Sequence, residues 1–447
     1  MTVMIQKLKD KLGKDADLKD MLTGSAVNFM FKILGVGFTF LLQVLVSRMY
    51  GAEGMGVFSL CVVVLQLSAM FGKAGLDQAV MKYNSQYSAL GRMDIVKEIN
   101  IKIFKFALGS SLLVTAILYF VSPYLAEYVF NKPHLTSYFQ LTSYVVGPFT
   151  FVFIFSESLK GLRKIKSFAF LQECAHFIFA TAILVIMHYF YKSDYIPEVA
   201  YMLGVMLTFI IGAILWYKQT GIMGHKASDE ISYKTITDFA LPIMVIYLMD
   251  ALSRYIGILM LGSLATENEV GVFSAMEKIT ALVFLPLMVV NAIVIPKFSE
   301  FFAKNDMDKM EKSALQAGKL IMGLTAPIII AIIILPEFIL GMFGEEFKVS
   351  VYPLWVLSLG KFVFAGLGLA ASVLQMTENQ RIVRNVLVAS TALNVALNYL
   401  LIPEFGVMGA AMSNAIAMIS WNVLVLFLVK KKLGIFILYI PFISKLK

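Results

Sequence analysis

The chain has 447 residues, of which 59% are hydrophobic and 15% charged, and its mean hydropathy is +0.80. This composition lies far outside the range of soluble globular domains and predicts a polytopic membrane protein. Two cysteines are too few for a disulfide scaffold, and the net charge of +9 indicates membrane topology rather than a nucleic-acid partner.

The first element is a basic segment, residues 1–24, that lacks the apolar core of a signal peptide. Ile5, Leu8 and Leu12 share one helical face, so we expect an amphipathic helix on the inner leaflet. Apolar runs of about 20 residues, the length that crosses a hydrocarbon core, then follow in chain order. They cover residues 27–50, 56–79, 103–125, 136–158, 168–190, 196–217, 236–263, 270–294, 316–340, 350–375, 382–401 and 405–429. The sequence therefore predicts an all-α membrane protein with twelve transmembrane helices.

The two halves of the chain are copies of one another. The tetrapeptide GVFS that begins at Gly56 occurs again at Gly271, and the same separation along the chain aligns Lys166 with Arg381. "IPE" at Ile196 returns at Ile402 with a slightly shorter spacing. Such self-similarity is typical of a tandem duplication, here of two six-helix lobes.

The repeat and the spans together define five segments. They are a cytoplasmic amphipathic segment (residues 1–24), an N-lobe (25–217), a cytoplasmic linker (218–235), a C-lobe (236–429) and a basic tail (430–447). Lysine and arginine are concentrated in every second loop and at both ends, which places both termini in the cytoplasm. Because each lobe has an even number of spans, we expect parallel repeats related by a pseudo-twofold along the membrane normal.

Ionisable residues inside the spans are the candidate site, because each costs about 2.5–3.5 kcal/mol at the bilayer centre unless it has a partner or a wet cavity. In the first helix, Asn28, Lys32 and Gln43 form one polar stripe. In the seventh, Tyr247, Asp250 and Arg254 lie on one face. Lys32 and Tyr247 occupy equivalent positions in the two halves, because they are separated by the spacing of the repeat. The two polar stripes should therefore have the same orientation in their lobes, and we expect both to face a shared cavity between the lobes.

Other polar residues in the spans have simpler interpretations. Asp250 and Arg254, spaced i,i+4, would also suit a pair that only neutralises itself in a packed bundle. Lys361 has no acidic neighbour at helical spacing and is expected to be a second unpaired cation. Glu277 and Lys278 are expected to form an interfacial pair extending outward, and Lys73 and Asp77 a structural pair. Glu173 and His176 would suit either a proton relay or a buried hydrogen-bonded pair, of which we favour the pair. The asparagines of the last two spans are expected to form interhelical hydrogen bonds: Asn394, Asn398, Asn414 and Asn422.

Enzymatic and cofactor chemistry find no support in the sequence. Cys61 and Cys174 both fall inside predicted spans, and no Cys/His cluster has metal-ligand spacing. The loops contain no Gly-rich phosphate loop, nucleophile elbow or paired carboxylates. We therefore expect no enzyme, no cofactor and no metal site, and any transport must be passive or driven by an ion gradient.

Three stretches resemble a known family. "SRMYGAEGMGVFSL" with "GKAGLDQAVMKYNSQYSALG", "DALSRYIGILMLGSLATENEVGVFSAMEKI" and "PEFGVMGAAMSNAIA" are similar to the O-antigen and polysaccharide flippases of the multidrug/oligosaccharidyl-lipid/polysaccharide exporter superfamily. The resemblance implies two six-helix lobes around a central cleft in the cell membrane. It also implies transport of lipid-linked oligosaccharide to the outer leaflet for polysaccharide, O-antigen or lipopolysaccharide synthesis, with glycan polymerase machinery as a candidate partner.

The implied cargo suits the charged residues of the spans. A polyprenyl-pyrophosphate head group is anionic, so Lys32, Arg254 and Lys361 are expected to hold it, with Asp250 tuning Arg254 and with Tyr247 and Gln43 beside them. Transport would proceed by alternating access, with the prenyl tail remaining among membrane lipids. Two alternatives stay open: an ion-coupled small-molecule or multidrug antiporter of the same superfamily, and a membrane-embedded enzyme or assembly factor.

The predicted orientation can be tested by chemical labelling of single cysteines on intact cells. A cysteine in the basic loop 160–166 should be unreachable from outside, and one in residues 343–348 should react, because the lysine-rich loops are cytoplasmic. The opposite labelling pattern would overturn the charge-based orientation.

Overall fold

The computed structural model describes residues 16–438, and within them every regular element is a helix. The helices are α1 Ala16–Lys73, α2 Leu76–Ala89, α3 Met93–Tyr124, α4 Leu135–Ser143, α5 Val146–Gly161, α6 Ile165–Ala169, α7 His176–Phe190, α8 Ile196–Thr220, α9 Tyr233–Leu264, α10 Glu267–Ala281, α11 Leu285–Ala303, α12 Met307–Ile334, α13 Pro336–Gly341, α14 Val351–Leu367, α15 Leu369–Met376 and α16 Gln380–Leu433. Nine helical stretches in this part of the chain are long and apolar enough to cross a membrane, or ten if the bent pair α4 and α5 forms one span. The protein is a multi-pass membrane protein.

The two longest helices are each broken once, at a glycine. In α1, Gly51 has φ 72° and ψ −176°, and in α16, Gly406 has φ 52° and ψ −126°. Glycine tolerates these positive φ angles because it has no Cβ. Both breaks separate two of the apolar runs that the sequence predicts as individual spans.

Packing divides the described residues into two compact units. The first contains the residues up to Leu45 together with Val64–Leu248, and the second contains Val46–Val63 and the residues from Met249 onward. These limits differ from the predicted lobes at residues 46–63 and 236–248, because the lobes follow the sequence repeat and the units follow packing. The predicted amphipathic helix around Ile5, Leu8 and Leu12 and the end of the basic tail lie outside the described residues.

The first unit is built around α2, α3 and α5. Their buried core includes Leu76, Val80, Ile99 and Ile154. The start of α9 packs on the same core, and a Cβ at Gly75, where φ is +76°, would lie 2.1 Å from the carbonyl oxygen of Ala240. Only glycine permits this approach, so the turn between α1 and α2 fixes where α9 begins.

A network of charged side chains on α3 holds the segment between α8 and α9. The Lys97 Nζ donates to the carbonyl oxygens of Met223 and His225, at 3.0 and 2.6 Å. The buried Glu98 carboxylate accepts from Lys102 at 2.7 Å and from the Ser228 hydroxyl at 2.6 Å. The linker that enters α9 is therefore anchored to the start of α3 by charge-assisted hydrogen bonds, of which those of Glu98 are partly buried.

A second anchor lies just before α3, at Arg92. Hydrogen bonds from its side chain to Asp94 and to Glu230, a linker residue, raise the pKa of the guanidinium. Arg92 therefore remains charged at every physiological pH, and its ion pair with the linker persists.

In the second unit, the repeated tetrapeptide packs against its own copy. A Cβ at Gly56 would lie 1.9 Å from the carbonyl oxygen of Glu267, and a Cβ at Gly271 would lie 1.9 Å from that of Ala52. The spacing of the repeat carries Ala52 onto Glu267 and Gly56 onto Gly271, so the two contacts are equivalent. The crossing of α1 and α10 therefore has local twofold symmetry, with the backbones in direct contact.

The glycine crossing generates a stability prediction. Gly56→Ala and Gly271→Ala should each destabilise the protein by about 1–3 kcal/mol or more, because the methyl group overlaps a backbone carbonyl that cannot move away cheaply. The measurement is the melting temperature of purified protein in detergent. Gly109→Ala and Gly323→Ala are matched controls, because a Cβ at either helical glycine would meet nothing within 4 Å. Equal melting temperatures for all four variants would contradict the packing argument.

Candidate functional site

A buried ion pair lies in the interior of the second unit. The Lys361 side chain on α14 is 2% exposed, and its Nζ lies 2.8 Å from Oε2 of Glu277 on α10. The ammonium also donates to the Glu277 carbonyl oxygen at 3.3 Å and lies 5.7 Å from the ring centroid of Phe284. Gly360 allows this arrangement, because a Cβ there would lie 2.7 Å from Cα of Ala415 on α16. The close approach of α14 to α16 carries Lys361 into the interior.

Three asparagines extend this pair into a polar chain. Asn414 donates to Oε1 of Glu277 at 3.5 Å and accepts from Asn394 at 2.8 Å. Asn398 donates to the side-chain oxygen of Asn394 at 2.7 Å. Asn394 and Asn414 lie on either side of the break at Gly406, so this hydrogen bond joins the two segments of α16. The expected interhelical role of these asparagines is confirmed for Asn394 and Asn414, whereas Asn422 bonds only to the Met418 carbonyl of its own helix.

The prediction that Lys361 is an unpaired cation is wrong. Its partner, Glu277, lies 84 residues away on another helix, where helical spacing could not reveal it. The prediction that Glu277 and Lys278 form an outward-facing pair is also wrong, because the Glu277 carboxylate bonds inward to Lys361. One sequence signal was available: the repeat aligns Glu277 with Val62 and Lys361 with Val146, so both charges depart from the apolar pattern of the first half together.

The Asp250–Arg254 pair on α9 has a different environment. The two side chains form the predicted i,i+4 ion pair, yet 47% of the Asp250 side chain and 63% of the Arg254 side chain are exposed. The neighbouring Ser253 hydroxyl bonds to Thr391 on α16, which fixes the rotation of this part of α9. Arg254 therefore projects from the surface of the second unit while it keeps one carboxylate contact.

The polar stripe of α1 lies in the first unit. Lys32 is half-buried and forms no ion pair with any residue of 16–438, although its charge acts on the Glu173 carboxyl. The side-chain oxygens of Asn28 and Gln43 are buried and accept no hydrogen bond from the described part of the chain. A Cβ at Gly35 would lie 2.0 Å from the Glu173 carbonyl oxygen, so α1 packs directly on the π-helical turn Phe170–Ala175.

Tyr247 lies beside an ion pair at the junction of α1 and α2 in the first unit. Lys73 at the end of α1 pairs with Asp77 at the start of α2, at 2.7 Å, as expected for a structural pair. The Lys73 Nζ lies 4.6 Å from the ring centroid of Phe153 and 5.9 Å from that of Tyr247. The Tyr247 ring is 39% exposed, so it covers the pair on one side and is accessible on the other.

The expected hydrogen bond between Glu173 and His176 is not formed. The Nδ1 atom of His176 is buried without a partner among residues 16–438. Its ring packs against Phe149, Phe177 and Tyr201, with centroids 5.9, 4.0 and 6.0 Å away. The π-helical turn that contains Glu173 ends just before His176, and this change of helical register alters the direction of the two side chains.

Comparison with known proteins decides the family. Residues 21–302, more than half of the chain, match the polysaccharide biosynthesis protein family. The chain belongs to this family. Residues 242–400 of this polysaccharide biosynthesis protein also match the MatE family, which places it in the multidrug/oligosaccharidyl-lipid/polysaccharide exporter superfamily.

One relative and two solved structures agree with this assignment. The probable low-salt glycan biosynthesis flippase Agl15 of Haloferax volcanii is 26% identical over 164 residues, which cover 36% of this chain and 35% of Agl15. An inward-facing multidrug resistance MATE family transporter superposes with a TM-score of 0.69 at 14% identity, covering 92% of this chain and 98% of the transporter. The lipid II flippase MurJ in its inward closed conformation superposes with a TM-score of 0.67 at 18% identity, covering 92% of this chain and 87% of MurJ.

The family match, together with the shared fold, gives the general class of this polysaccharide biosynthesis protein. It has the fold of the superfamily and is a membrane flippase or transporter, not an enzyme. The buried Lys361 ammonium and its partner Glu277 lie inside one unit, whereas the charged side chains of Arg254, Asp250 and Lys32 are partly exposed.

The buried pair makes a specific prediction for stability. Glu277→Gln should lower the unfolding free energy by about 3–5 kcal/mol, because it leaves the buried Lys361 ammonium unpaired. Lys361→Met should cost less, because the Glu277 side chain is 23% exposed. The double variant should recover most of the loss, since neither charge then remains and the glutamine can still accept from Asn414. Thermal unfolding of the purified proteins measures the effect. Two single losses that simply add in the double variant would show that the residues are not coupled.

Proposed function

We propose that the protein translocates a lipid-linked glycan, carried on a polyprenyl pyrophosphate, across the cell membrane by alternating access. The family match and the flippase relative support this cargo class. The head group would cross through a polar pathway, while the prenyl tail remains among membrane lipids. Production of O-antigen or another surface polysaccharide would be the cellular role, with glycan polymerase machinery as a downstream partner.

The exposure of Arg254 carries the proposal. Its guanidinium lies on an apolar helix of membrane-spanning length, yet most of its side chain is uncovered by protein. A charge in contact with lipid tails costs several kcal/mol, so this side chain needs water or an anionic ligand around it. Asp250 satisfies only part of the planar five-donor guanidinium and leaves donors for the oxygens of a phosphate.

Lys32 provides a second cation for the same type of cargo. It is half-buried without a carboxylate partner in the described chain, and Asn28 and Gln43 on the same stripe have unpartnered side-chain oxygens. An ammonium binds phosphate oxygens as a point charge, and amide oxygens accept from sugar hydroxyls. We assign head-group binding to Lys32 and Arg254, with Asp250, Tyr247 and Gln43 as further candidates, and we remove Lys361 because its ammonium is buried and neutralised.

The proposed architecture is twelve spans in two six-helix lobes, residues 25–217 and 236–429, with both termini cytoplasmic. The ten candidate spans become twelve when α1 and α16 each cross twice, with a break at Gly51 or Gly406. A helix rises about 1.5 Å per residue, so each of these helices is more than twice as long as one crossing needs. The local twofold at Gly56 and Gly271 supports parallel repeats.

The function can be tested on Arg254 and Asp250. Glycan delivered to the outer leaflet is measured in a flippase-deleted host and normalised to protein in the membrane. Arg254→Ala should lower delivery by about tenfold or more, because one charged hydrogen bond to phosphate is worth about 1.5–3 kcal/mol. The double variant Arg254→Ala/Asp250→Ala should remain as inactive, and Arg254→Lys should retain part of the activity.

Two results would contradict this assignment. Full rescue by the double variant would mean that Arg254 only neutralises Asp250. Absence of glycan delivery by the wild-type protein as well, together with cation-coupled drug export that the Arg254 variants lose, would favour the antiporter alternative. The matched control is Glu300→Ala/Lys304→Ala, which removes another exposed i,i+4 ion pair, outside the proposed pathway, and should leave delivery unchanged.

A further inference from the structure

We propose that a cleft in the first unit, formed by α3, α4 and the start of α8, binds a sugar residue of the glycan. The cleft has a volume of about 370 Å³ and is lined by Tyr119, Ser137, Gln140, Leu141, Tyr144 and Tyr195. Small-molecule sites usually begin near 300 Å³, so the cleft suits one or two sugar rings rather than a whole oligosaccharide. The inference rests on the proposed flippase function and adds a second binding site to it.

The lining of the cleft selects the chemistry of its occupant. None of the six side chains is charged, which disfavours a phosphate or a carboxylate ligand. Tyrosine rings have electron-rich faces that attract partly positive C–H groups. A pyranose ring presents several C–H groups on one of its faces and can stack on such a ring. The Tyr hydroxyls, the Ser137 hydroxyl and the Gln140 amide both donate and accept hydrogen bonds, as sugar hydroxyls do. A neutral carbohydrate is the ligand that matches both properties.

The tyrosines are held in place by neighbouring groups. The Tyr195 hydroxyl lies 2.9 Å from the Ser137 hydroxyl, and its ring stacks on Tyr138 with centroids 4.4 Å apart and an angle of 19°. On the other wall, the rings of Tyr119 and Tyr144 lie 6.0 Å apart. Tyrosine rings that already pack on neighbouring rings lose less conformational entropy on binding a ligand than free side chains would.

A buried hydrogen bond fixes the helices beneath these walls. The Thr142 hydroxyl donates to the buried Glu198 carboxylate at 2.8 Å and so connects α4 to α8. The two helices therefore hold Gln140 and Tyr195 at a constant separation. Within the described chain, the Gln140 amide has no hydrogen-bond partner and is available to a ligand.

The position of the cleft gives its place in transport. It lies at the end of α3 remote from Lys97 and Lys102, whose loops the charge pattern places in the cytoplasm. The cleft therefore faces the outer side in the proposed orientation. It would hold the sugar after translocation, whereas Lys32 and Arg254 hold the charged head group during it.

Tyrosines also collect at membrane interfaces, and the same part of the first unit has such residues. Tyr128 and Tyr189 are 71% and 84% exposed and stand outside the cleft. Tyr144 differs because it faces a concave, hydrogen-bonding surface. Tyr189 is thus a matched control: an exposed tyrosine of the same unit with its ring on an adjacent aromatic, Phe190.

The experiment is saturation-transfer NMR on the full chain with four disaccharides: maltose, cellobiose, lactose and N,N′-diacetylchitobiose. The protein is kept in lipid nanodiscs, because maltoside detergents would present a disaccharide to the cleft. At least one disaccharide should bind to the wild-type protein. Tyr144→Ala should weaken that binding by about tenfold, and Tyr144→Phe should retain most of it, because the stacking ring remains.

The controls separate the outcomes. Tyr189→Ala should bind as the wild type does, and Gln140→Leu should weaken binding without changing the melting temperature. Absence of disaccharide binding, or equal binding by Tyr144→Ala and wild type, overturns the cleft as a sugar site. An equal loss in Tyr189→Ala overturns it in favour of an interfacial aromatic belt. If the wild type binds a disaccharide but delivers no glycan in cells, the proposed function fails while the cleft stands.

Discussion

The direct contact of two helix backbones at Gly56 and Gly271 is the constraint on which the second unit depends. Lipid tails are as apolar as leucine, so helices in a membrane gain little from burying leucine and associate through close packing of small residues. The twofold contact brings α1 and α10 to the shortest distance that backbones allow. Any side chain larger than hydrogen at these positions would separate the helices and displace everything attached to them.

Several other features follow from that crossing. The segment Val46–Val63 of α1 belongs to the second unit, where the Arg48 guanidinium donates to the carbonyl oxygens of Met342 and Gly341 at 2.7 and 2.8 Å. The Ala52 N–H, freed by the break at Gly51, donates to the Glu346 carboxylate at 2.5 Å. A break in a membrane helix must be satisfied by protein in this way, because lipid offers no hydrogen bonds.

The distribution of charge divides into two kinds of site. Lys73 with Asp77 in the first unit and Lys361 with Glu277 in the second are paired and largely covered, so they contribute specificity of packing rather than affinity for a cargo. Arg254 and Lys32 retain unsatisfied donors, and the tyrosine cleft contains no charge at all. A pyrophosphate-linked glycan has a charged and a neutral part, and under the proposed function the cations would bind the first and the cleft the second.

The sequence by itself determined the helical class, the duplicated organisation and the approximate limits of the apolar runs, because hydropathy and repetition are local properties of the chain. It also identified the pairs at i,i+4 spacing, Asp250 with Arg254 and Lys73 with Asp77, since both partners lie on one helix or its immediate continuation. Tertiary structure alone decided that Lys361 meets Glu277, that His176 turns away from Glu173, and that tyrosines from three helices form one cleft. These outcomes depend on how far each helix is rotated and how closely it approaches its neighbour. Glycine contacts and π-helical turns set those quantities, and no periodicity along a single helix encodes them.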